Sequence, residues 1–176
     1  MDNFRTGYAG LAQVLSGLNA DDWDKPCFHR RRPMPIQDFV SLRLQELAVH
    51  GWDIRSGLDQ TANVSEEALP VLTGRVSRWL NNAFVPGLRL PTPVRYRFDI
   101  SSPVPVQEDV VVTRESFSIQ PVSRAAANVT FRCNTGNYIL LIYGRLSPQK
   151  GVASGRLTIE GSKAEADNFA AWFKGF

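Results

Sequence analysis

Apolar residues recur at three- and four-residue spacing from the start of the chain. Phe4, Tyr8, Leu11, Leu15 and Leu18 mark one face of an amphipathic helix that fades at NADDWDKP. After the loop CFHRRRPMP, Pro35 suits the first turn of a second helix, because its missing N–H would have no intrahelical acceptor there. That helix is predicted to end near Gly57. A third is predicted from SEEA, with Ser65 as N-cap and acidic residues in the first turn, to about Leu80. Beyond NNAFVPGLRLPTP the period changes to two. In VRYRFDI, Val94, Tyr96, Phe98 and Ile100 share one face and Arg95, Arg97 and Asp99 the other, as in a strand. DVVVTRESFSI, ANVTFRC and GRLTIEG are further strand candidates, while GNYILLIYGR is ambiguous and fits a short buried helix as well. In SKAEADNFAAWFKGF, Ser162 caps a closing helix with Ala166, Phe169, Ala170 and Phe173 as its apolar stripe. The Pro- and Gly-containing stretch 84–93 divides an all-helical half, residues 1–83, from an α+β half, residues 84–176.

The second helix carries the chemistry. At about 100° per residue, Leu42, Val49, Val40, Leu44, Leu47 and Ile54 define an apolar arc around Phe39, with Ser41, Gln45, Ala48 and Arg55 opposite. Glu46 and His50 fall near the middle of that arc, with Arg43 and Asp53 beside them, so these polar groups are predicted to point inward. A buried carboxylate costs several kcal/mol unless it is paired, hydrogen-bonded or bound to metal. Two readings follow. A Glu and a His four residues apart present an oxygen and a nitrogen to one point between helices, as metal ligands do, provided a third ligand joins them. Alternatively, Arg43, Glu46, His50 and Asp53 form a buried hydrogen-bond network that fixes helix packing.

Bulk properties narrow the classes. The 176 residues are 43% hydrophobic and 21% charged, ordinary globular values, and the net charge is only +3. Basic residues are scattered apart from Arg30-Arg31-Arg32, so the single-sign field expected of a nucleic-acid binder is missing. Cys27 and Cys133 have no metal or redox spacing, and a reducing cytoplasm is the expected setting. YILLIYG is too short to span a bilayer, and MDNFRTGYAG lacks the apolar stretch of a signal peptide, so no membrane association is expected.

The run LNADDWDKP, the Pro-rich loop and RLQELAVHGWDI, followed by an α+β half, resemble the mycothiol-dependent maleylpyruvate isomerase family. ANVTFRCNTGNYILLIYGRL, ASGRLTIEGS and FAAWFKGF resemble that family's second domain. The resemblance covers roughly residues 8–176. It implies an α+β fold in which a partial DinB-like bundle of about three helices, residues 1–83, precedes a sterol-carrier-like domain with a mainly antiparallel sheet, residues 84–176. It makes Glu46 and His50 two of three protein ligands of a divalent metal, commonly zinc, with Arg43 and Asp53 supporting them. The third ligand, a histidine of the family's first helical hairpin, has no counterpart here, because the chain matches the family only from its third helix onward. In the family the metal lowers the pKa of a low-molecular-weight thiol such as mycothiol, whose thiolate adds to a conjugated double bond.

Other residues read more plainly. His29 is a conceivable substitute ligand, but its arginine neighbours repel a cation, and a solvated loop histidine is the simpler reading. Cys27 reads as a loop cysteine rather than a reactive thiol, and the arginine run as a solvated face or an attractor of anionic ligands. Trp23, Trp52 and Trp79 fit helix junctions, and Gly144, Gly155 and Gly161 fit turns. Tyr138, Leu141, Ile142 and Phe169 fill a core or, in a sterol-carrier-like fold, line a lipid tunnel. Two functions therefore compete. One is a metal- and thiol-dependent isomerase or transferase completed by a homodimer that pairs two half-bundles. The other is a non-catalytic module that binds a small apolar ligand or a protein partner.

Overall fold

The strict alternation in VRYRFDI is realised as β3 (Val94–Ile100), whose residues Val94, Tyr96, Phe98 and Ile100 are all buried. A computed structural model describes residues 2–30, 32–88, 90 and 92–174. They fall into two units, Met1–Glu46 and Leu47–Phe176.

The first unit opens with α1 (Asp2–Ser16), the helix predicted from its apolar spacing. Phe4, Tyr8, Leu11 and Val14 lie exposed along it, and no α1 residue is buried. A 3₁₀ turn at Ala20–Asp22 follows, closed by a capping box between Asn19 and Asp22. Two short strands, β1 (Pro26–Cys27) and β2 (Met34–Pro35), then pair antiparallel, and the Cys27 thiol donates to the Met34 carbonyl. Arg31 lies outside the described residues. α2 (Ile36–Ser56) starts one residue after Pro35 and runs across the boundary between the units.

In the second unit the single helix expected over 65–80 is three pieces: a 3₁₀ turn at Glu66–Ala68, α3 (Leu69–Gly74) and α4 (Val76–Ala83). Pro70 explains the first break. It has no N–H to give the Glu66 carbonyl, so it starts α3 instead of continuing from SEEA. Ser65 does not cap the backbone; its hydroxyl donates to the Glu67 carboxylate at 2.5 Å.

A five-stranded sheet follows in the order β5-β4-β3-β6-β7, with β4 (Val106–Val112), β5 (Phe117–Pro121), β6 (Val129–Cys133) and β7 (Thr158–Gly161). All its pairings are antiparallel except β3 with β6. The stretch DVVVTRESFSI is therefore a hairpin rather than one strand. Its turn is closed by the Thr113 N–H donating to the Ser116 carbonyl at 2.8 Å and the Ser116 N–H to the Thr113 hydroxyl at 3.1 Å. The ambiguous GNYILLIYGR contains a helix, α5 (Thr135–Ile142), capped by Asn134 and buried on nearly every side. α6 (Pro148–Ala153) and α7 (Lys163–Trp172) complete the unit, and Ser162 caps α7 as predicted. Ala166, Phe169 and Phe173 of its stripe are buried, while Ala170 is exposed and Trp172 takes its place.

The inner sheet face is an aromatic layer seated under α5 and α7. The Phe169 ring lies 5.1 Å from Tyr96, 5.6 Å from Phe98 and 5.7 Å from Phe131, and Tyr138 of α5 packs on Phe98 at 5.2 Å. On the outer face Asp109, fully buried, accepts hydrogen bonds from Arg95 and Arg97, and Arg97 also donates to the carbonyls of Ser123 and Ala125. Burial alone would raise the Asp109 carboxyl, but the two guanidinium groups outweigh it and hold the group below the ordinary carboxylate value.

Two substitutions test this packing. Phe169→Ala is expected to cost about 3–5 kcal/mol in denaturant unfolding, the usual range for removing a buried aromatic ring. Gly161 has φ +95°, and a Cβ there would overlap the Asn128 carbonyl. Gly161→Ala is therefore expected to lose at least the roughly 1–2 kcal/mol that a left-handed alanine costs, read as a lower thermal midpoint.

Candidate functional site

The four residues singled out on α2 have different surroundings. Arg43 sets its guanidinium over the Phe39 ring at 5.3 Å, and His29 meets the same ring edge-on at 6.4 Å. Glu46 is half-buried. His50 is not inward-facing: its side chain is 61% exposed, and its Nδ1 lies 3.0 Å from Asp53 Oδ2. Leu47 and Ile54, expected inside, are exposed at 73% and 72%, whereas Gln45 and Ala48, expected outside, are buried. The helix is thus rotated from the orientation that its aliphatic residues suggested.

Asp53, beside His50, also carries an ion pair. Arg145, in the chain just beyond α5, grips it through both oxygens, Nε to Oδ1 at 3.1 Å and Nη2 to Oδ2 at 3.0 Å. The same guanidinium donates from Nη1 to the Tyr143 carbonyl at 2.9 Å. The Arg145 hydrogen bonds hold the Asp53 carboxyl below its ordinary range; burial opposes them, and His50 adds a lesser downward effect. Nearby, the Trp52 indole donates to the Ala62 carbonyl at 3.0 Å. Trp79 donates to the Ile142 carbonyl at 3.1 Å and stacks on Tyr143 at 4.2 Å, so both tryptophans pack at junctions as predicted. Among the described residues no three His, Cys, Asp or Glu side chains group as metal ligands. Glu46 and His50 are two of the three donors a metal would need, and the Asp53 carboxylate beside His50 is bound by Arg145.

The second unit holds two further polar features. On the inner sheet face Glu108 stands opposite Phe98 and accepts a hydrogen bond from the Tyr138 hydroxyl at 2.7 Å. Burial, then the adjacent carboxylate, pushes the Tyr138 phenol well above its ordinary value. Where the ends of β3 and β6 meet the start of α5, a pocket of about 440 Å³ opens, lined by Asp99, Arg132, Cys133, Asn137, Arg156 and Thr158 among others. Burial pushes the Cys133 thiol up to about 12, which leaves it protonated and unreactive at neutral pH.

The part of the chain that contains both features, residues 93–174, matches the model of the SCP-2 sterol transfer family. These residues form an SCP2-like domain. The residues before 93 lie outside that match. Solved structures similar to the chain include a ubiquinone synthesis protein, UbiJ-SCP2, at 16% identity and TM-score 0.44, covering 58% of this chain and 91% of its own. A sterol carrier protein-2 like-3 from Aedes aegypti matches at 16% identity and TM-score 0.43, covering 56% and 97%. A palmitated SCP2L2 from the same organism matches at 13% identity and TM-score 0.41, covering 57% and 88%. No curated protein sequence matches the chain.

Helices followed by an SCP2-like domain with a mostly antiparallel sheet is the α+β arrangement expected. Within it, Tyr138, Leu141, Ile142 and Phe169 are all buried, and Tyr138 and Phe169 both pack on Phe98. Sequence reasoning missed Arg145, Glu108 and Arg156. Glu108 carried a signal, since it breaks the apolar alternation of VQEDVVV on the face where Val110 and Val112 point inward. Among the described residues no helix is long and apolar enough to cross a membrane.

The Asp53 clamp has a pH signature. A carboxyl depressed in the folded state contributes stability above its unfolded value, near 3.8, and loses it as pH falls through the folded value. Asp53→Asn is therefore expected to melt below the parent at pH 7, with the gap narrowing below about pH 4, measured by thermal unfolding across pH.

Proposed function

We propose that the protein is a binding module whose SCP2-like domain takes up a small apolar ligand. The observation that carries this reading is the match of residues 93–174 to a family described by sterol transfer. The interior chemistry supports it. The sheet offers an aromatic inner face, and the hydrogen-bonded Tyr138–Glu108 pair sets a polar group at its margin. An amphipathic ligand with one polar end and a hydrocarbon body matches that combination. No covalent step is needed, and the one thiol of the domain is held protonated by burial.

A second reading, a zinc-dependent isomerase or transferase using a thiol such as mycothiol, has one observation in its favour. α2 exposes Leu47, His50 and Ile54, so a facing copy of the chain would cover an apolar surface and add its own Glu46 and His50 to a donor set that is incomplete in one chain. The apolar residues exposed along α1 likewise fit a homodimer that pairs two half-bundles.

Titration with a fluorescent sterol separates the readings. The binding module is expected to give saturable one-to-one binding, seen as energy transfer from tryptophan. Absence of saturable binding for the sterol and for a fluorescent fatty alcohol would sink it. Elemental analysis addresses the second reading: stoichiometric zinc that disappears in His50→Ala is its expected outcome, and metal-free protein after zinc loading and dialysis counts against it.

A further inference from the structure

The pocket at the ends of β3 and β6 contains two arginines with unlike surroundings. Arg132 is neutralised: it donates to Glu160 from Nε and Nη2, each at 3.2 Å, and its Nη1 pairs with Asp99. Arg156 is not. Its Nε donates to Asn137 Oδ1 at 2.8 Å and its Nη2 to Asn63 Oδ1 at 3.1 Å and the Ala62 carbonyl at 3.5 Å. All three acceptors are uncharged, and among the described residues Nη1 has no acceptor. Asn137, only 7% exposed, is itself fixed by donating its amide to the Arg156 carbonyl at 3.0 Å, so the guanidinium is held from both directions.

We infer that this pocket binds a small organic carboxylate, with Arg156 as the group that receives it. A guanidinium oriented by neutral oxygens keeps its full charge for a ligand and presents a planar fork that suits a carboxylate. The volume, about 440 Å³, lies within the range of roughly 300–1,000 Å³ in which small molecules are bound. Charge limits the ligand to one negative group. Asp99 lines the same wall, so a dianion would meet a carboxylate as well as the guanidinium. Ser101, Asn134 and Thr158 add uncharged hydrogen-bonding groups for the remainder of a polar molecule. The site is separate from the apolar interior proposed above and does not depend on it.

The probes are sodium butyrate, its neutral isostere butyramide, and hexadecanoate, titrated into the full chain and followed by amide chemical shifts. Butyrate is expected to give saturable shifts confined to residues 99–101, 132–137 and 155–158, and butyramide at least tenfold weaker ones. Arg156→Gln is expected to abolish butyrate binding. Because Arg156 also holds the 62–63 segment, Thr158→Glu provides an independent check. Thr158 is exposed on β7, and a carboxylate there opposes the ligand while leaving the Arg156 hydrogen bonds in place. Equal binding of butyrate and butyramide, undiminished binding in folded Thr158→Glu, or saturation by hexadecanoate alone would each overturn the inference.

Discussion

The second unit depends on the burial of the aromatic inner face of its sheet beneath α7. Phe169 touches Tyr96, Phe98 and Phe131, which come from the central strand β3 and its neighbour β6, so one helix residue holds both. The position of that helix traces back to a few backbone atoms. The Ser162 N–H that precedes α7 donates to the Asn128 carbonyl at 2.9 Å, while the Asn128 side chain accepts the Arg95 N–H at 2.8 Å. Asn128 therefore joins β3, the approach to β6 and the start of α7. Gly161 must adopt φ +95° beside it for the chain to pass.

The two sheet faces differ in charge. Tyr96, Val110 and Phe131 are buried without net charge on the inner side, whereas the outer side carries a row in which Gln107 bonds Asp99, Asp99 pairs with Arg132 and Arg132 bonds Glu160. Such exposed pairs contribute little stability individually. Their consequence is electrostatic: they consume the charge of Arg132 and, among the described residues, leave Arg156 as the pocket's uncompensated cation. The buried Asp109 differs, because its two arginines face it from the neighbouring strand in a site closed by the carbonyls of Ser123 and Ala125.

What was legible in the sequence is what periodicity and caps specify locally. The α1 spacing, the β3 alternation and the Ser162 cap each depend on residues within one element, and each is realised. The orientation of α2 was not legible. Aliphatic residues occur on several of its sides, so the pattern did not fix which side would be buried; Gln45 went in and Leu47 out. Glu46 and His50 stand out by their spacing, whereas the ion pair of Asp53 on the same helix is with Arg145, 92 residues further along the chain. No local pattern encodes a pairing at that separation. The same limit hid the pocket, whose walls come from β3, β6, α5 and the loop into β7.

β3 and β6 are the only parallel neighbours among the described strands, and β3 is the central strand of the sheet. Tyr96 is aligned with Val129 only after the β4–β5 hairpin has been made and the chain has returned past it. The hairpin can therefore form from local contacts, but the middle of the sheet closes only when a long loop has been drawn together, and the entropy of that closure falls on the step that also creates the floor of the pocket. The emerging chain thus acquires this pocket late, when most of the domain has already been synthesised.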